Sequence, residues 1–106
     1  MVKIIFSKKG VDDLEGIKSH ITDELLDETA ANKTVSNIIE KVHMLASFPE
    51  IGAPLSSIVD IETNYRYLLC GSYIAFYRYE DDTVFINRVL YARRNFMQIL
   101  FEITEE

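Results

Sequence analysis

The positions of the apolar residues predict a strand and a helix at the start of the chain. The run "VKIIF" (Val2–Phe6) is short, apolar and rich in β-branched residues, which is typical of a strand. From Val11 to Leu25, apolar residues recur every three or four positions and so share one helical face. Ser7 is a candidate N-cap for this helix. The polar positions on the other face are predicted to face solvent: Asp12, Asp13, Glu15 and Lys18.

A second amphipathic segment, Val35–Ala46, follows closely and predicts a second helix. Asn32 or Thr34 is predicted as its N-cap. Because the connection is short, the two helices are predicted to form an antiparallel hairpin. Pro49 ends the second helix, and a loop is predicted to run to about Asn64.

The C-terminal half changes to a strand-like pattern. Three segments are dense in aromatic and β-branched residues and predict an antiparallel meander: "YRYLLC", "YIAFYRY" and "TVFINRVLY". Gly71-Ser72 and Asp81-Asp82 are predicted as two-residue hairpin turns. "FMQILF" (Phe96–Phe101) closes the chain as a short helix or an extended tail. The sequence therefore predicts one α+β domain over residues 1–106, with an N-terminal strand and an antiparallel helix hairpin packed on an antiparallel β-sheet.

Two-residue turns also predict the register of the sheet. Arg66 is predicted opposite Tyr77, and Ala75 opposite Arg88. Alternation then places Arg66 and Arg88 on the same face. Both faces are largely apolar, so the pattern does not indicate which one the helices cover.

The charge distribution singles out the arginines. The 106 residues carry a net charge of −6, with eleven acidic residues against four lysines between Lys9 and Asn64. All five arginines lie in the C-terminal half: Arg66, Arg78, Arg88, Arg93 and Arg94. Their stems can cover aromatic rings while their heads pair with the acidic helices. Alternatively, they form a patch for an anionic partner, in the sharpest case a ribonuclease site in which arginine stabilises the transition state and a tyrosine or lysine moves the proton.

Other chemistry is sparse in the sequence. Cys70 is predicted to be a buried thiol, and His20 and His43 to lie on helix surfaces. No metal site and no cofactor are predicted, because paired cysteines and a phosphate-binding glycine loop are both missing. The sequence has neither a signal-peptide pattern nor an apolar run of about 20 residues, so a cytoplasmic protein without membrane contact is predicted.

Three stretches, taken in order, resemble one protein family. "DDLEGIKSHI" resembles the family's first helix, and "LASFPEIGAPL" the stretch that closes its second helix. The three predicted strands resemble the core of one branch, whose last strand ends in a "VLHGRRD"-like signature. That signature here is Val89-Leu90-Tyr91-Ala92-Arg93-Arg94-Asn95. The family is the RelE/ParE toxin superfamily of type II toxin–antitoxin modules, and the resemblance, which covers nearly the whole chain, is closer to the ParE branch.

The resemblance implies a toxin that binds and inhibits a protein target such as DNA gyrase, of the kind linked to plasmid stabilization. It also implies a cognate antitoxin whose helix or strand lies along an apolar groove. One alternative is a RelE-like endoribonuclease that cuts mRNA on the ribosome. A second is a non-toxic binding module of the same fold.

Departures from the RelE pattern favour the ParE-like interpretation. RNA-cutting members resemble one another in an arginine after the tyrosine of the middle strand, where this chain has Ile74 after Tyr73. Their downstream tyrosine is replaced here by Phe96, Ile99 or Phe101. The ParE signature is itself altered, with Tyr91, Ala92 and Asn95 in place of His, Gly and Asp.

Two overlapping sets of candidate site residues follow from the resemblance. If the protein is a nuclease, the catalytic candidates are Arg66, Arg88, Arg93 and Tyr91. If it binds a partner, the predicted contact residues are Arg66, Tyr77, Arg88, Tyr91, Arg93, Arg94 and Phe96. An antitoxin that pairs with the arginines would cover this patch and neutralise the toxin.

Overall fold

The computed structural model describes residues 2–57 and 62–92. Its helices and strands are β1 (Lys3–Phe6), α1 (Lys8–Leu25), α2 (Glu28–His43), β2 (Ala53–Pro54), β3 (Arg66–Cys70), β4 (Tyr73–Glu80) and β5 (Thr83–Tyr91). Single 3₁₀ turns lie at Met44–Ala46 and Leu55–Ser57. The predicted terminal helix or tail, Phe96–Phe101, lies outside the described residues.

Five strands form one sheet in the order β1-β5-β4-β3-β2. The predicted meander of β3, β4 and β5 is confirmed, and so is the α+β class. Two features differ from the prediction. β1 pairs with β5 in parallel, so the sheet is mixed, and β2 lies in the segment predicted as a loop. A strand of two residues is too short to show a period in the sequence.

α1 begins at Lys8, three residues before Val11, where the apolar pattern starts. The predicted cap is confirmed, since Ser7 Oγ accepts a hydrogen bond from the Gly10 N–H at 2.9 Å. Asp13 does not face solvent as predicted, because its side chain is only 14 % exposed.

The second helix also begins earlier than predicted. Its N-cap is Asp27, whose Oδ1 accepts from the Ala30 N–H at 2.9 Å, so the prediction of Asn32 or Thr34 is wrong. The first turn buries only the small side chain of Ala31, and a stripe of large apolar residues does not mark that turn.

The helices cover one face of the sheet. The main core joins α2 to seven sheet residues: Leu68, Cys70, Ala75, Tyr77, Val84, Ile86 and Val89. A smaller cluster occupies the opposite face and consists of Leu55, Ile74, Phe76 and Leu90. The structure thereby decides a choice that the sequence pattern left open.

A β-bulge shifts the register of β5 against β4. Arg66 lies opposite Tyr77 as predicted, but the register shifts between Phe76 and Tyr77. Phe76 lies opposite Arg88, and Ala75 lies opposite Val89, so the prediction that Ala75 faces Arg88 is wrong. The extra residue of a bulge reverses the alternation beyond it, and Arg66 and Arg88 therefore do not share a face.

Candidate partner-binding site

Arg88 is held by the first helix. Its Nε and one terminal nitrogen donate to the two oxygens of Asp13 at 2.8 and 3.0 Å. The same carboxylate accepts from the Val89 backbone N–H at 2.9 Å. Both side chains are largely buried, so this bidentate pair fastens α1 to the end of β5.

The start of α1 extends this contact along the edge of β5. β1 pairs with β5 only as far as Phe6 opposite Ile86. Beyond that point, the Ser7 N–H donates to the Ile86 carbonyl at 2.9 Å, and Ser7 Oγ donates to the Asn87 carbonyl at 2.8 Å. Asp13 then accepts from Val89, so polar groups of α1 replace a strand as partners of the β5 backbone.

Arg66 and Tyr77 hold the loop that follows α2. The Arg66 guanidinium donates to the carbonyl oxygens of Glu50 and Gly52 at 3.3 and 2.8 Å. Tyr77 Oη accepts from the Gly52 N–H and donates to the Pro49 carbonyl, both at 2.9 Å. Burial raises the pKa of Tyr77 above its ordinary value, which keeps the hydroxyl protonated as a donor.

Gly52 allows the loop to approach the sheet. A Cβ at this position would lie 2.5 Å from the Tyr77 hydroxyl and 2.7 Å from the Tyr67 carbonyl oxygen. Any larger residue would therefore push the loop away from its hydrogen-bond partners.

Arg78 is the third described arginine with contacts inside the fold. Its guanidinium lies 4.3 Å from the centroid of the Phe85 ring and forms an ion pair with Glu80. These contacts match the structural explanation of the arginines, in which stems and heads cover rings and pair with carboxylates.

A groove of about 1230 Å³ opens between the helices and one end of the sheet. Its apolar lining includes Ile17, Ile21, Met44, Leu69, Val89 and Leu90. Its polar lining includes Asp12, Asp13, His20, Glu40 and Lys41. A large, open groove lined by both apolar and charged residues is suited to a segment of another protein rather than to a small ligand.

Two tyrosines stand on the sheet side of this groove. Tyr73 lies opposite Tyr91, and the ring centroids are 5.7 Å apart in an edge-to-face arrangement. Burial raises the pKa of Tyr73, and the neighbouring Tyr91 adds to the rise. Tyr91 remains well exposed, which makes it the predicted contact residue best placed for a partner among those described.

The remaining predicted site residues have different surroundings. Tyr77 is 0 % exposed, so its side chain is not accessible to a partner. Arg93, Arg94 and Phe96 lie outside the described residues. Arg66 and Arg88 lie on opposite faces of the sheet, so the structure does not bring these two arginines together into one patch.

Asp13 was missed as a functional residue by sequence reasoning. It lies beside Leu14 at the boundary of the apolar stripe of α1, which is a weak signal for burial. Its partner Arg88 is 75 positions away and becomes its neighbour only in the folded chain.

Within residues 2–57 and 62–92, no cluster of three or more histidine, cysteine or acidic side chains is arranged to hold a metal ion. None of the helices described is long and apolar enough to cross a membrane.

The fold is that of the RelE/ParE toxins. The chain superposes on a chain of the chromosomal ParDE toxin–antitoxin system from P. aeruginosa with a TM-score of 0.74 and 25 % identity, covering 88 % of this chain and 98 % of that one. The toxin–antitoxin complex RelBE2 from Mycobacterium tuberculosis gives a TM-score of 0.61 at 21 % identity, over 85 % and 96 % of the two chains. The isolated E. coli RelE toxin gives 0.56 at 14 % identity, over 99 % and 97 %.

The amino-acid sequence identifies the branch of this superfamily to which the chain belongs. Residues 4–96 match the sequence profile of the ParE toxin of the type II toxin–antitoxin system parDE. The chain belongs to this family. No relative was found among curated protein sequences.

Proposed function

We propose that this ParE-family protein acts by binding and inhibiting DNA gyrase in the cytoplasm, and that a cognate antitoxin neutralises it. The proposal rests on one observation: the arginines of the strands are hydrogen-bonded to other groups of the same chain. Arg66 donates to two loop carbonyls, and Arg88 is bound through two hydrogen bonds by Asp13. A nuclease needs guanidinium groups that turn toward a phosphate in the transition state.

The environment of Ile74 supports the same proposal. This residue stands where the resemblance to RNA-cutting toxins calls for an arginine, and it is buried in the smaller core cluster. A buried aliphatic side chain has no chemistry to offer a phosphate. The net charge of −6 also opposes docking onto ribosomal RNA, since neutralisation of phosphates supplies much of that affinity.

The antitoxin proposal draws on the groove and on the structural relatives. The ParDE and RelBE2 structures are both toxin–antitoxin systems. We place the antitoxin along the groove beside Tyr91, and extend its contact to Arg93, Arg94 and Phe96. Arg66 and Arg88 are removed from the contact set, because their heads are used inside the fold.

The first experiment measures incorporation of labelled thymidine and methionine within minutes of inducing the protein alone. DNA synthesis should stop first, and purified protein should inhibit supercoiling by gyrase. Prior arrest of protein synthesis would instead support the RelE-like ribonuclease. Unchanged incorporation of both labels would support the non-toxic binding module.

In this proposal the antitoxin covers the residues that contact gyrase, so a matched pair of charge reversals tests the shared contact set. Reversing Arg93 and Arg94 to glutamate should weaken gyrase inhibition about tenfold or more, because two favourable contacts become repulsive. Reversing Lys8 and Lys9 to glutamate changes the net charge equally on an exposed helix end and should leave inhibition within about twofold. Equal losses in both variants would mean that only net charge matters.

A further inference from the structure

The β-bulge in β5 sets one asparagine apart from the regular sheet. Phe76 lies opposite Arg88 and Tyr77 lies opposite Ile86, so Asn87 is the extra residue between them. A bulge changes the direction of the side chain that it carries, and bulges are frequent beside functional sites. The bulge therefore gives Asn87 a direction that a regular strand would not.

The start of α1 fixes the backbone of the bulge. The Ser7 N–H donates to the Ile86 carbonyl at 2.9 Å, and Ser7 Oγ donates to the Asn87 carbonyl at 2.8 Å. Gly10 lets the helix come this close, because a Cβ there would lie 3.1 Å from the Ile86 carbonyl oxygen. The backbone of Asn87 is therefore held in place before any partner binds.

The side chain of Asn87 meets Tyr65 on the face of the sheet opposite to the helices. Asn87 Nδ2 donates to Tyr65 Oη at 3.2 Å, and Tyr65 packs against the smaller core cluster on that face. Both residues are partly exposed. Neither of them lines the groove between the helices and the end of the sheet, so this Asn87–Tyr65 pair is separate from the groove.

One polar atom of the pair has no partner. Among residues 2–57 and 62–92, Asn87 Oδ1 is the buried side-chain oxygen or nitrogen that forms no hydrogen bond. A buried acceptor without a partner destabilises the folded state, and such groups are few in native proteins. Departures of this kind from local rules are expected at functional sites.

The Asn87–Tyr65 pair presents a donor and an acceptor side by side. While Tyr65 Oη accepts from Nδ2, its own hydrogen stays available and Oδ1 is the open acceptor. Turning the amide over exchanges these roles, since Tyr65 then donates to the amide oxygen and the amide nitrogen becomes the open donor. In either orientation, a ligand for the pair must offer one acceptor and one donor on the same side.

A primary carboxamide meets this requirement. Its oxygen accepts and its nitrogen donates in one plane, whereas a guanidinium only donates and a carboxylate only accepts. The edge of adenine offers the same pattern, but the net charge of −6 opposes the approach of nucleic acid. Tyr65 and Tyr67 are both partly exposed on this face and offer ring surface of the kind that protein interfaces use.

We propose that the Asn87–Tyr65 pair binds the carboxamide of an asparagine or glutamine side chain on the protein that this toxin inhibits. Oδ1 is covered in the free protein, so binding must turn the side chain of Asn87 or of Tyr65. The partner then supplies the hydrogen bond that the free protein lacks. This assignment rests on the proposed inhibition of gyrase and adds contact residues outside the groove.

A double substitution tests the pair. Asn87→Leu with Tyr65→Phe nearly keeps the shape of both side chains and removes their polar atoms. Because the unpartnered group and its neighbour are removed together, the variant should unfold at the same urea concentration as the wild type or at a higher one. Asn32→Leu with Tyr79→Phe is the matched control, since it makes the same changes at an exposed position of α2 and at an exposed hydroxyl.

Inhibition of supercoiling by purified gyrase should need about tenfold more of the double variant, and within about twofold as much of the control variant. Affinity for the purified antitoxin should stay within about twofold in both, because the pair does not line the groove.

Tyr65→Phe alone keeps the Asn87 amide in the bulge and covers the case in which the double variant does not fold. It should weaken gyrase inhibition about threefold or more, because one of the two hydrogen bonds to the carboxamide is lost. If the double variant unfolds at a lower urea concentration and Tyr65→Phe inhibits as well as the wild type, Asn87 is a structural residue of the bulge and the proposal is wrong.

The wild-type protein separates this inference from the function beneath it. If wild-type toxin does not inhibit gyrase, the proposed function fails and this inference fails with it. If the wild type and the double variant inhibit gyrase equally, the function stands and the target contacts other residues. If the double variant loses only binding to single-stranded RNA, the pair binds a base and the carboxamide assignment is wrong.

Discussion

At the scale of single residues, Tyr77 shows how one buried side chain can shape a surface. Its ring fills the main core, while its hydroxyl accepts from Gly52 and donates to Pro49 on a loop about 25 positions upstream. In the sequence, Tyr77 is only a tyrosine in a predicted strand, and it was predicted to contact a partner. The buried hydroxyl instead gives the loop its position.

Replacing Tyr77 by phenylalanine should lower the free energy of unfolding by about 1–3 kcal/mol, because two buried loop groups lose their partner. Tyr79→Phe removes an exposed hydroxyl that contacts Asp82 and should cost less than about 0.5 kcal/mol. Urea unfolding of both variants checks this expectation. Equal costs would mean that the loop is not held through Tyr77.

The ionisation of Cys70 predicts an alkaline limit to stability. Burial raises the pKa of its thiol from 9.0 to about 11. The folded state therefore favours the protonated thiol, and this stabilisation is complete below pH 9 and lost between pH 9 and 11. The free energy of unfolding should fall over that window by about 2 kcal/mol. In Cys70→Ala the fall should be smaller, although the raised pKa values of Tyr73 and Tyr77 retain part of it.

At the scale of elements, the start of α1 serves as a substitute strand for β5. Ser7 and Asp13 take over as hydrogen-bond partners of β5 after β1 ends. The amphipathic pattern predicted the helix and its cap correctly. It could not predict this contact, because a polar residue beside an apolar stripe is ambiguous until its tertiary partner is known.

Asp13→Asn should destabilise the protein by about 2–4 kcal/mol, since it removes the charge that pairs with a largely buried Arg88. Asp12→Asn is the matched control, because this neighbour is exposed, and its cost should be within about 0.5 kcal/mol. Thermal unfolding measures both, and amide exchange at Val89 should accelerate only in the Asp13 variant. If the Val89 amide of Asp13→Asn still exchanged slowly, the contact between α1 and β5 would not depend on the carboxylate charge.

The β4–β5 pairing shows where prediction from turns stops. Both hairpin turns were predicted correctly, and so was the pair Arg66–Tyr77, since a two-residue turn dictates the register beside it. The bulge between them was not predicted, because "VFINRVLY" alternates well enough in either register. A shift of one residue moved Arg88 to the other face of the sheet and broke up the predicted patch.

At the scale of the whole molecule, the charge distribution governs association. The net charge of −6 is concentrated in the N-terminal half, which supplies both helices. Such a surface attracts a basic partner and repels nucleic acid over distances set by the ionic strength.

The association rate with the antitoxin should therefore fall as salt is raised from 0.05 to 0.5 M, by about tenfold, while the dissociation rate changes little. Stopped-flow mixing measures both rates, and Asp12→Asn combined with Glu40→Gln should flatten the salt dependence. Tight binding of the toxin to single-stranded RNA at 0.15 M salt would contradict this account.

The sequence alone determined the helices, the meander, its two turns, the buried thiol and the family. These features depend on local periodicity, turn chemistry and the order of motifs, which are all written along the chain. The tertiary structure decided which sheet face is covered, the bulge and the Asp13–Arg88 pair. Each of these depends on groups far apart in the chain whose pairing becomes favourable only when the helices dock and exclude water.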